Sequence, residues 1–342
     1  MKKIGKQSIR FDNAYIESTS TVAGKLEKKG PLGSYFDKTY DNNYCNTKSW
    51  EKAEMQLFDD SINILLNKSK KNTDDINLFI GGDLNNQIVI SNYVLKKYPF
   101  PHLGIYSACS TITEGLILGS ICIDSGFNNI IVGTSSHNST SERQFRNPTE
   151  YGGQKNPTTT FTSTGGVCAL LTNKKNAIKI TKATIGKVND STMLDSSDMG
   201  RVMAFSAADT FMMHLKDFGI SEKEYDFIVT GDLSTYGKKV FLKVLEENNI
   251  TLNNYEDTGL MLYDVNKQPV FSGGSGSSCI ALVGLGFIYK LMKEEKLNKV
   301  LFIATGALLN PIMTFQKETI PAISHAVVFE RVKIWLILYL HF

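Results

Sequence analysis

Two stretches of the chain share one hydrophobic pattern, one in each half of the 342 residues. Residues 76–84 and 225–233 are apolar runs that end in Gly-Asp-Leu, and an amphipathic, Lys-rich stretch follows each. A short run rich in β-branched and aromatic residues before a helical period is typical of a buried strand that leads into a helix. Because solenoid repeats have far shorter periods, the pattern predicts two similar βα halves.

Further segments repeat in the same order. Helical periods at 50–66 and 201–215 form one pair, helices that begin near Cys109 and Ser278 form a second, and apolar runs at 127–133 and 297–304 form a third. This alternation implies crossover connections and helices on the faces of a sheet. We therefore predict an α/β fold of two duplicated βα halves with mixed, mostly parallel sheets. The predicted boundaries are an N-terminal half at 1–180, a C-terminal half at 181–331 and an atypical apolar tail at 332–342.

Composition narrows the class of protein only a little. The net charge of +3 is spread along the chain, which gives no argument for a nucleic-acid partner. Five cysteines without Cys-x-x-Cys spacing indicate reduced thiols. The first residues lack the apolar core of a signal peptide, and the tail is shorter than the roughly 20 residues that span a bilayer. We expect no signal peptide or transmembrane helix, and a tail that covers a groove, joins a partner or lies at a membrane interface.

Cys109 is the first residue whose position predicts chemistry. It follows a strand-like segment at 102–106 and begins a helix rich in Thr, Ile and Leu. The start of a helix offers unpaired N–H groups and a partial positive charge, which favour a thiolate and can produce a nucleophile. The alternative is a small buried thiol without a chemical role.

Several segments carry a resemblance to a known family. They are the Ala-Cys-Ser-Thr turn at Cys109, both Gly-Asp-Leu turns, and residues 30–41, 45–54, 134–155, 273–276 and 304–309. The tandem halves and the cysteine turn resemble the thiolase-like superfamily, which implies α/β/α/β/α layers. Within it the segments resemble the stage V sporulation protein AD family of endospore-forming bacteria. The likeness runs from about residue 3 to Arg331, and the last eleven residues depart from it.

The resemblance implies a function that no composition or spacing would indicate. Members of this family are expected to bind dipicolinic acid (pyridine-2,6-dicarboxylate), as the free acid or as its calcium chelate. They are expected to assist its uptake into the developing spore with a membrane channel complex of proteins from the same operon. The implied location is peripheral, on the cytoplasmic side of the forespore or spore inner membrane. A homodimer is left open.

An enzymatic role can be tested against the sequence. In ketoacyl synthase III enzymes of the superfamily, a His and an Asn from the second half stabilise the oxyanion and the enolate. Here the His place falls near Asp232 and the Asn place at Gly273, so both donors are lost. One such donor is worth about 3–4 kcal/mol of transition-state stabilisation, and decarboxylative condensation is therefore not expected. His325 is a candidate base, but its strand-like surroundings predict a packed core histidine.

We therefore expect a catalytically silent ligand-binding protein without a cofactor. Two alternatives stay open, an acyltransferase that uses Cys109 as its nucleophile, and a structural scaffold of the complex.

A site for a flat dianion needs planar donors, N–H groups and an apolar slot. The stretch 134–155, predicted as a loop after a strand, would lie where open α/β sheets bind ligands. The predicted ligand-binding residues are Cys109, Ser110, His137, Arg143, Arg146, Tyr151, Lys155, Gly273, Gly274 and Gly276. For the arginines the alternative is a solvated or ion-paired loop, for the glycines a tight helix entry, for Tyr151 a turn, and for His137 a buried polar role.

Asp83 and Asp232 occupy equivalent places in the two halves. Each is predicted to cap the helix that follows it or to fix the turn. Since no EF-hand spacing is present, the sequence predicts no metal site, although calcium that arrives with the ligand would give these carboxylates a role.

Overall fold

The computed structural model describes residues 1–145 and 153–332. Arg146, Tyr151 and nearly all of the apolar tail lie outside the described residues, so the predictions for them are not addressed by the structure.

The helices alternate with the strands along most of the chain. They are α1 Lys25–Lys28, α2 Trp50–Ser69, α3 Val89–Leu95, α4 Thr111–Asp124, α5 Asn138–Phe145, α6 Met199–Phe218, α7 Ser234–Glu247, α8 Thr258–Leu262, α9 Ser277–Leu282, α10 Tyr289–Lys293 and α11 Pro311–Phe315. A π-helical segment, Val283–Ile288, joins α9 to α10.

The strands are mostly short. They are β1 Lys2–Ile4, β2 Ser8–Arg10, β3 Tyr15–Ala23, β4 Lys38–Thr39, β5 Leu78–Asp83, β6 His102–Gly104, β7 Ile130–Ser136, β8 Phe161–Thr162, β9 Gly165–Thr172, β10 Ile178–Thr184, β11 Asn189–Asp190, β12 Phe227–Thr230, β13 Tyr255–Asp257, β14 Gly274–Ser275, β15 Lys299–Ala307 and β16 Pro321–Arg331.

Two half-sheets of equivalent topology confirm the predicted duplication. The first has the order β6-β5-β7-β9-β3 and the second the order β13-β12-β15-β16-β10. In the first, β5 pairs in parallel with β6 and β7, whereas β9 is antiparallel to β7 and β3. The second repeats this pattern, with β16 as its antiparallel strand. In each half-sheet four of the five strands run in one direction, and only β9 or β16 runs against them. Each half-sheet is therefore mixed but mostly parallel in strand direction, as predicted.

The hydrophobic core confirms the predicted five layers. Side chains from both half-sheets pack on the helices α4 and α9 and on the π-helical segment, which form the central layer. Helices α2 and α3 cover the outer face of the first half-sheet, and α6 and α7 cover that of the second. The order is thus α/β/α/β/α. It follows from the sequence, because the central helices are apolar on nearly every side while the outer helices are amphipathic.

The two halves are joined edge to edge. The strands β3 and β10 pair at Ile16–Ile178 and Tyr15–Lys179, which connects the half-sheets into one. The boundary predicted after residue 180 falls inside β10. No helix of the described ranges 1–145 and 153–332 has the length and apolar character to cross a membrane.

Most element predictions are confirmed within a few residues, but one is wrong. The stretch 134–155, predicted as a loop, begins inside β7 and contains helix α5, Asn138–Phe145. The sequence of α5 is polar and lacks apolar periodicity, which explains why the pattern did not reveal it.

Candidate functional site

The turn that carries Cys109 is held by its own hydroxyl groups. Ala108 has φ 48°, in the left-handed region, and a short 3₁₀ turn at Ala108–Ser110 precedes α4. The Ser110 hydroxyl donates to the Ser107 carbonyl at 2.7 Å, and the Thr111 hydroxyl donates to the Ala108 carbonyl at 2.7 Å. These bonds satisfy polar groups in a buried turn and fix the direction of the Cys109 side chain. Ser110, predicted as a ligand contact, is therefore occupied within the turn.

The turn also lies directly against strand β15. A Cβ atom added to Gly306 would lie 2.4 Å from the carbonyl oxygen of Ser107 and 3.1 Å from the Ser110 hydroxyl. Glycine at this position thus lets the cysteine turn of the first half pack against a strand of the second half.

Asp232 is the second-half residue that meets Cys109. Its side chain is fully buried, and its Oδ2 accepts a hydrogen bond from the Gly276 amide at 3.0 Å. The thiols of Cys109 and Cys279 lie near the same carboxyl group, whose Oδ1 is buried without a hydrogen-bond partner among the described residues. Burial, and secondly the nearby Asp257 carboxyl, raise the pKa of Asp232 well above its usual range. The sequence predicts that the catalytic histidine of ketoacyl synthase III enzymes would fall near Asp232. This position lies in the site, and a carboxyl group occupies it.

The capping prediction is right for Asp83 and wrong for Asp232. Asp83 accepts from the Ser91 amide at 2.8 Å and the Ser91 hydroxyl at 2.7 Å, which fixes the start of α3. In the second half Asp257 takes the capping role, because it accepts from the Ser234 amide at 2.8 Å at the start of α7. The carboxyl of Asp232 lies instead at the start of α9.

Cys279 was missed by the sequence reasoning. It is the third residue of α9 and is fully buried, and it lies in the second half where Cys109 lies in the first. The repeat itself contained the signal, since both central helices begin with a Ser-rich turn and a cysteine.

A small cavity of about 30 Å³ opens beside Cys109, with room for little more than one water molecule. Its lining is mainly apolar and comprises Leu84, Tyr106, Ala108, Cys109, Ser141, Phe145, Thr162, Met199, Ser275, Ala307 and Leu309. The hydroxyl of Ser141 is buried and has no hydrogen-bond partner among the described residues. Since buried polar groups are normally satisfied, this hydroxyl is available to a ligand in the cavity. No signal in the sequence pointed to Ser141, because α5 was not predicted.

His137 has a structural role. It is buried, its Nδ1 accepts from the Ser139 amide at 3.1 Å, and its Nε2 donates to the Asn43 carbonyl at 2.8 Å. Burial lowers its pKa to about 4, so the ring is neutral near pH 7. These bonds fit the alternative of a buried polar role for His137.

Two of the three cations predicted for the ligand, Arg143 and Lys155, are engaged with carboxylates. The Arg143 guanidinium forms an ion pair with Glu51 and lies 5.2 Å from the centre of the Trp50 ring. Lys155 lies 2.8 Å from the buried carboxylate of Glu142. Since the cavity lining takes Ser141 and Phe145 from α5, four residues apart, Arg143 lies on another face of that helix. The structure therefore does not bring Arg143 or Lys155 into the cavity lining.

The glycines of residues 273–276 form a tight entry to α9. Gly273 and Gly276 have φ values of 130° and 105°, in the region that favours glycine. A Cβ atom on Gly274 would lie 2.6 Å from the Tyr263 ring, and one on Gly276 would lie 2.9 Å from Thr162. These contacts fit the alternative of close packing, while Ser275 between them reaches the cavity.

His325 is a buried histidine of strand β16, as predicted. Its Nδ1 accepts from the Gly186 amide at 3.2 Å, and its Nε2 lies 3.3 Å from the Ser107 hydroxyl. Burial lowers its pKa to about 4. Because it bonds to the turn, it positions the cysteine turn.

A pair of buried carboxyl groups lies behind the cavity wall. Glu54 of α2 accepts from Thr140 at 2.7 Å, and from Ser135 and Asn85 at 3.1 Å each. Burial, and secondly the neighbouring Asp83, raise the pKa of Glu54 to about 8. The pair therefore holds at least one proton near pH 7.

Comparison with known proteins decides the family. The family model for stage V sporulation protein AD matches residues 5–330. The chain is also 48% identical over 334 residues to the stage V sporulation protein AD of Bacillus subtilis (strain 168), which covers 97% of this chain and 98% of that protein. The chain belongs to the stage V sporulation protein AD family. It is therefore a sporulation protein.

Solved structures similar to this family member show the fold. The cerulenin-bound structure of OleA from Xanthomonas campestris matches with a TM-score of 0.59 at 12% identity, over 94% of this chain and 98% of that chain. The 3-oxoacyl-[acyl-carrier-protein] synthase III of Aquifex aeolicus VF5 matches with a TM-score of 0.54 at 12% identity, over 93% and 99%. The family member thus has a thiolase-like fold. Within residues 1–145 and 153–332 no group of three or more His, Cys, Asp or Glu side chains is placed to hold a metal ion.

Replacing Asp232 tests its influence on Cys109. In Asp232→Asn the thiolate no longer has to form beside a carboxyl group that competes with it for ionisation. We expect the alkylation of Cys109 by iodoacetamide to reach a given rate at a lower pH than in the wild type. Peptide mass spectrometry separates Cys109 from the other cysteines. The exposed Asp74→Asn is the control, and identical profiles for wild type and Asp232→Asn would show that Asp232 does not govern the thiol.

The Glu54 carboxyl group makes stability depend on pH. Its pKa is raised in the folded state, so its contribution is complete below the unfolded pKa and is lost as pH rises towards about 8. We expect the free energy of unfolding of the wild type to fall relative to Glu54→Gln between about pH 5 and pH 8, with a slope of at most about 1.4 kcal/mol per pH unit. Denaturant unfolding measures it, with the exposed Glu246→Gln as control. Parallel curves for wild type and Glu54→Gln would contradict the assignment.

Proposed function

We propose that this family member binds dipicolinate in the Cys109 cavity without catalysing acyl transfer. The observation that carries the proposal is the environment of Cys109, because Asp232 and Gly273 occupy the places of the histidine and the asparagine that a condensing enzyme of this fold uses. The turn that carries Cys109 is present, but Asp232 and Gly273 replace the two side chains that stabilise an oxyanion and an enolate in a condensing enzyme.

The lining of the cavity suits a flat aromatic ligand, and entry of the ligand requires wall side chains such as Phe145 to move apart, since the free volume is about 30 Å³. Its apolar walls include Phe145 and Leu309, and the hydroxyl groups of Ser141 and Thr162 are suited to a ligand's carboxylates. The Ser275 hydroxyl already donates to Thr160 at 3.0 Å. Pockets of this kind, mostly apolar with a few convergent polar groups, bind small molecules. A contribution from Arg143 or Lys155 requires exchange of a present carboxylate partner for the ligand, and a contribution from Arg146 or Tyr151 stays a prediction.

We further propose the setting in which the ligand is used. The chain assists uptake of dipicolinate into the developing spore, with calcium bound to the ligand and not to a site of the protein. Its partners are membrane-embedded proteins of the same operon, and its location is peripheral, on the cytoplasmic side of the inner membrane. Membership of the sporulation family and the binding-type cavity support this setting.

Calorimetric titration with dipicolinate tests the proposal. We expect saturable binding by the wild type, and at least about tenfold weaker binding by Ser141→Ala, because a hydrogen bond to a charged ligand contributes roughly 1.5–3 kcal/mol. Arg143→Ala should weaken binding only if the guanidinium leaves Glu51 for the ligand. Titrations with and without calcium show which form binds.

Ser141→Thr and Ser120→Ala are the matched controls. The first keeps the hydroxyl, and the second removes a hydroxyl that is buried in α4 and bonded to the Leu116 carbonyl at 2.7 Å. Wild-type affinity in Ser141→Ala would move the ligand out of the Cys109 cavity. Absence of binding in the wild type would contradict the proposed function.

A further inference from the structure

A second concave surface lies away from the Cys109 cavity, at the N-terminal hairpin. The groove has a volume of about 720 Å³ and lies between the hairpin β1–β2, helix α4 and the chain after β10. Its apolar lining is supplied mainly by Ile9, Ile121 and Ile185, and Ile185 is 41% exposed. Among the described residues Lys3 and Lys6 also line it, and no carboxylate does.

The hairpin itself is strongly basic. Lys2, Lys3, Lys6 and Arg10 are all exposed, and none has a carboxylate within ion-pair distance in the part of the chain that the structure describes. The nearby acidic groups are engaged elsewhere. The amino group of Met1 pairs with Asp12 and Asp124, and Asp217 accepts from the hairpin turn at the amides of residues 6 and 7.

Three cations lie side by side across adjacent strands. Lys2 of β1 is directly opposite Arg10 of β2, and Arg10 is directly opposite Lys182 of β10. Like charges in directly opposed positions destabilise a sheet. Lys182 has an acidic neighbour, Glu224 at 3.8 Å. An external anion would therefore relieve the repulsion at Lys2 and Arg10.

The geometry suits an extended anionic surface. The row of Lys2, Arg10 and Lys182 lies on one face of the hairpin, and Lys3 lies with Ile9 on the other, beside the groove. Within the described ranges β1 pairs with β2 alone, so the hairpin lies at an edge of the sheet, and Lys2, Lys3 and Arg10 are exposed there. Single-stranded nucleic acid is less suited, because the described lining of the groove contains no aromatic side chain on which bases could stack.

We propose that the basic hairpin and its groove bind the surface of a membrane that contains anionic phospholipids. The lysines and Arg10 contact headgroup phosphates, and the isoleucines of the groove contact the acyl region beneath them. The inference rests on the proposed function for its setting, because a chain that passes a ligand to membrane-embedded partners has to lie at the membrane. It identifies the surface that does so.

Vesicle co-sedimentation of the full chain tests the inference. We expect binding to vesicles that contain phosphatidylglycerol, little binding to phosphatidylcholine vesicles, and loss of binding in high salt. Each lysine near such a surface contributes about fivefold to partitioning, so the triple variant Lys2→Gln, Lys3→Gln, Lys6→Gln should bind at least about tenfold more weakly. Ile185→Ser should also weaken binding.

The control is a triple variant with the same change of charge elsewhere, Lys29→Gln, Lys174→Gln, Lys243→Gln, at three exposed lysines. Equal loss in both triple variants, or equal binding to neutral and anionic vesicles, would overturn the inference. So would binding to heparin that matches vesicle binding and is unaffected by Ile185→Ser, since that pattern describes a general polyanion surface. Titration of the hairpin triple variant with dipicolinate separates the two proposals. We expect this variant to bind dipicolinate like the wild type, because the hairpin lies away from the Cys109 cavity. If the wild type does not bind dipicolinate, its binding to vesicles still tests the role of the hairpin.

Discussion

The candidate site depends on one constraint. Two central helices begin around a single buried carboxyl group, that of Asp232. Asp232 accepts from the amide at the start of α9 and lies against the Cys109 turn that precedes α4. A carboxyl group without a cation is costly to bury, and burial therefore favours its protonated form. Asp232 thus lies between the start of α9 and the Cys109 turn, and its Oδ1 is buried without a hydrogen-bond partner among the described residues.

The same contact links fold and function. A thiolase-like fold brings a cysteine to the start of a buried helix, but the reaction of its enzymes also needs donors aimed at a developing negative charge. Here the second half supplies Asp232 and a glycine-rich helix entry that is filled by packing. The turn at Cys109, held by Ser110, Thr111 and His325, thus forms the wall of an apolar cavity.

The fold was predicted well because its signals in the sequence are local and repeated. The two Gly-Asp-Leu runs and the helical periods reported strands and helices directly, and their duplication indicated two like halves. Helix α5 was missed because its residues are polar throughout, so no periodicity marks it. The different roles of Asp83 and Asp232 were also missed, since sequence position is equivalent while the choice of amide partner depends on packing between halves.

The site was predicted only in part for a similar reason. Cys109 was found because the start of a helix is visible in sequence, and the cavity indeed opens beside it. The pairing of Arg143 with Glu51 depends on which face of α5 turns inwards, and the availability of Ser141 depends on which hydroxyl lacks a neighbour. Neither the orientation of a helix face nor the lack of a hydrogen-bond partner follows from the type of one residue.

The most direct test of the central claim is to challenge the purified chain with a series of coenzyme A thioesters and record its intact mass. We expect no acyl adduct on the wild type, because Asp232 and Gly273 occupy the places of the two donors that a condensing enzyme of this fold uses. An adduct that forms on the wild type and is absent from Cys109→Ala would contradict it, and would identify the chain as an acyl-transfer enzyme.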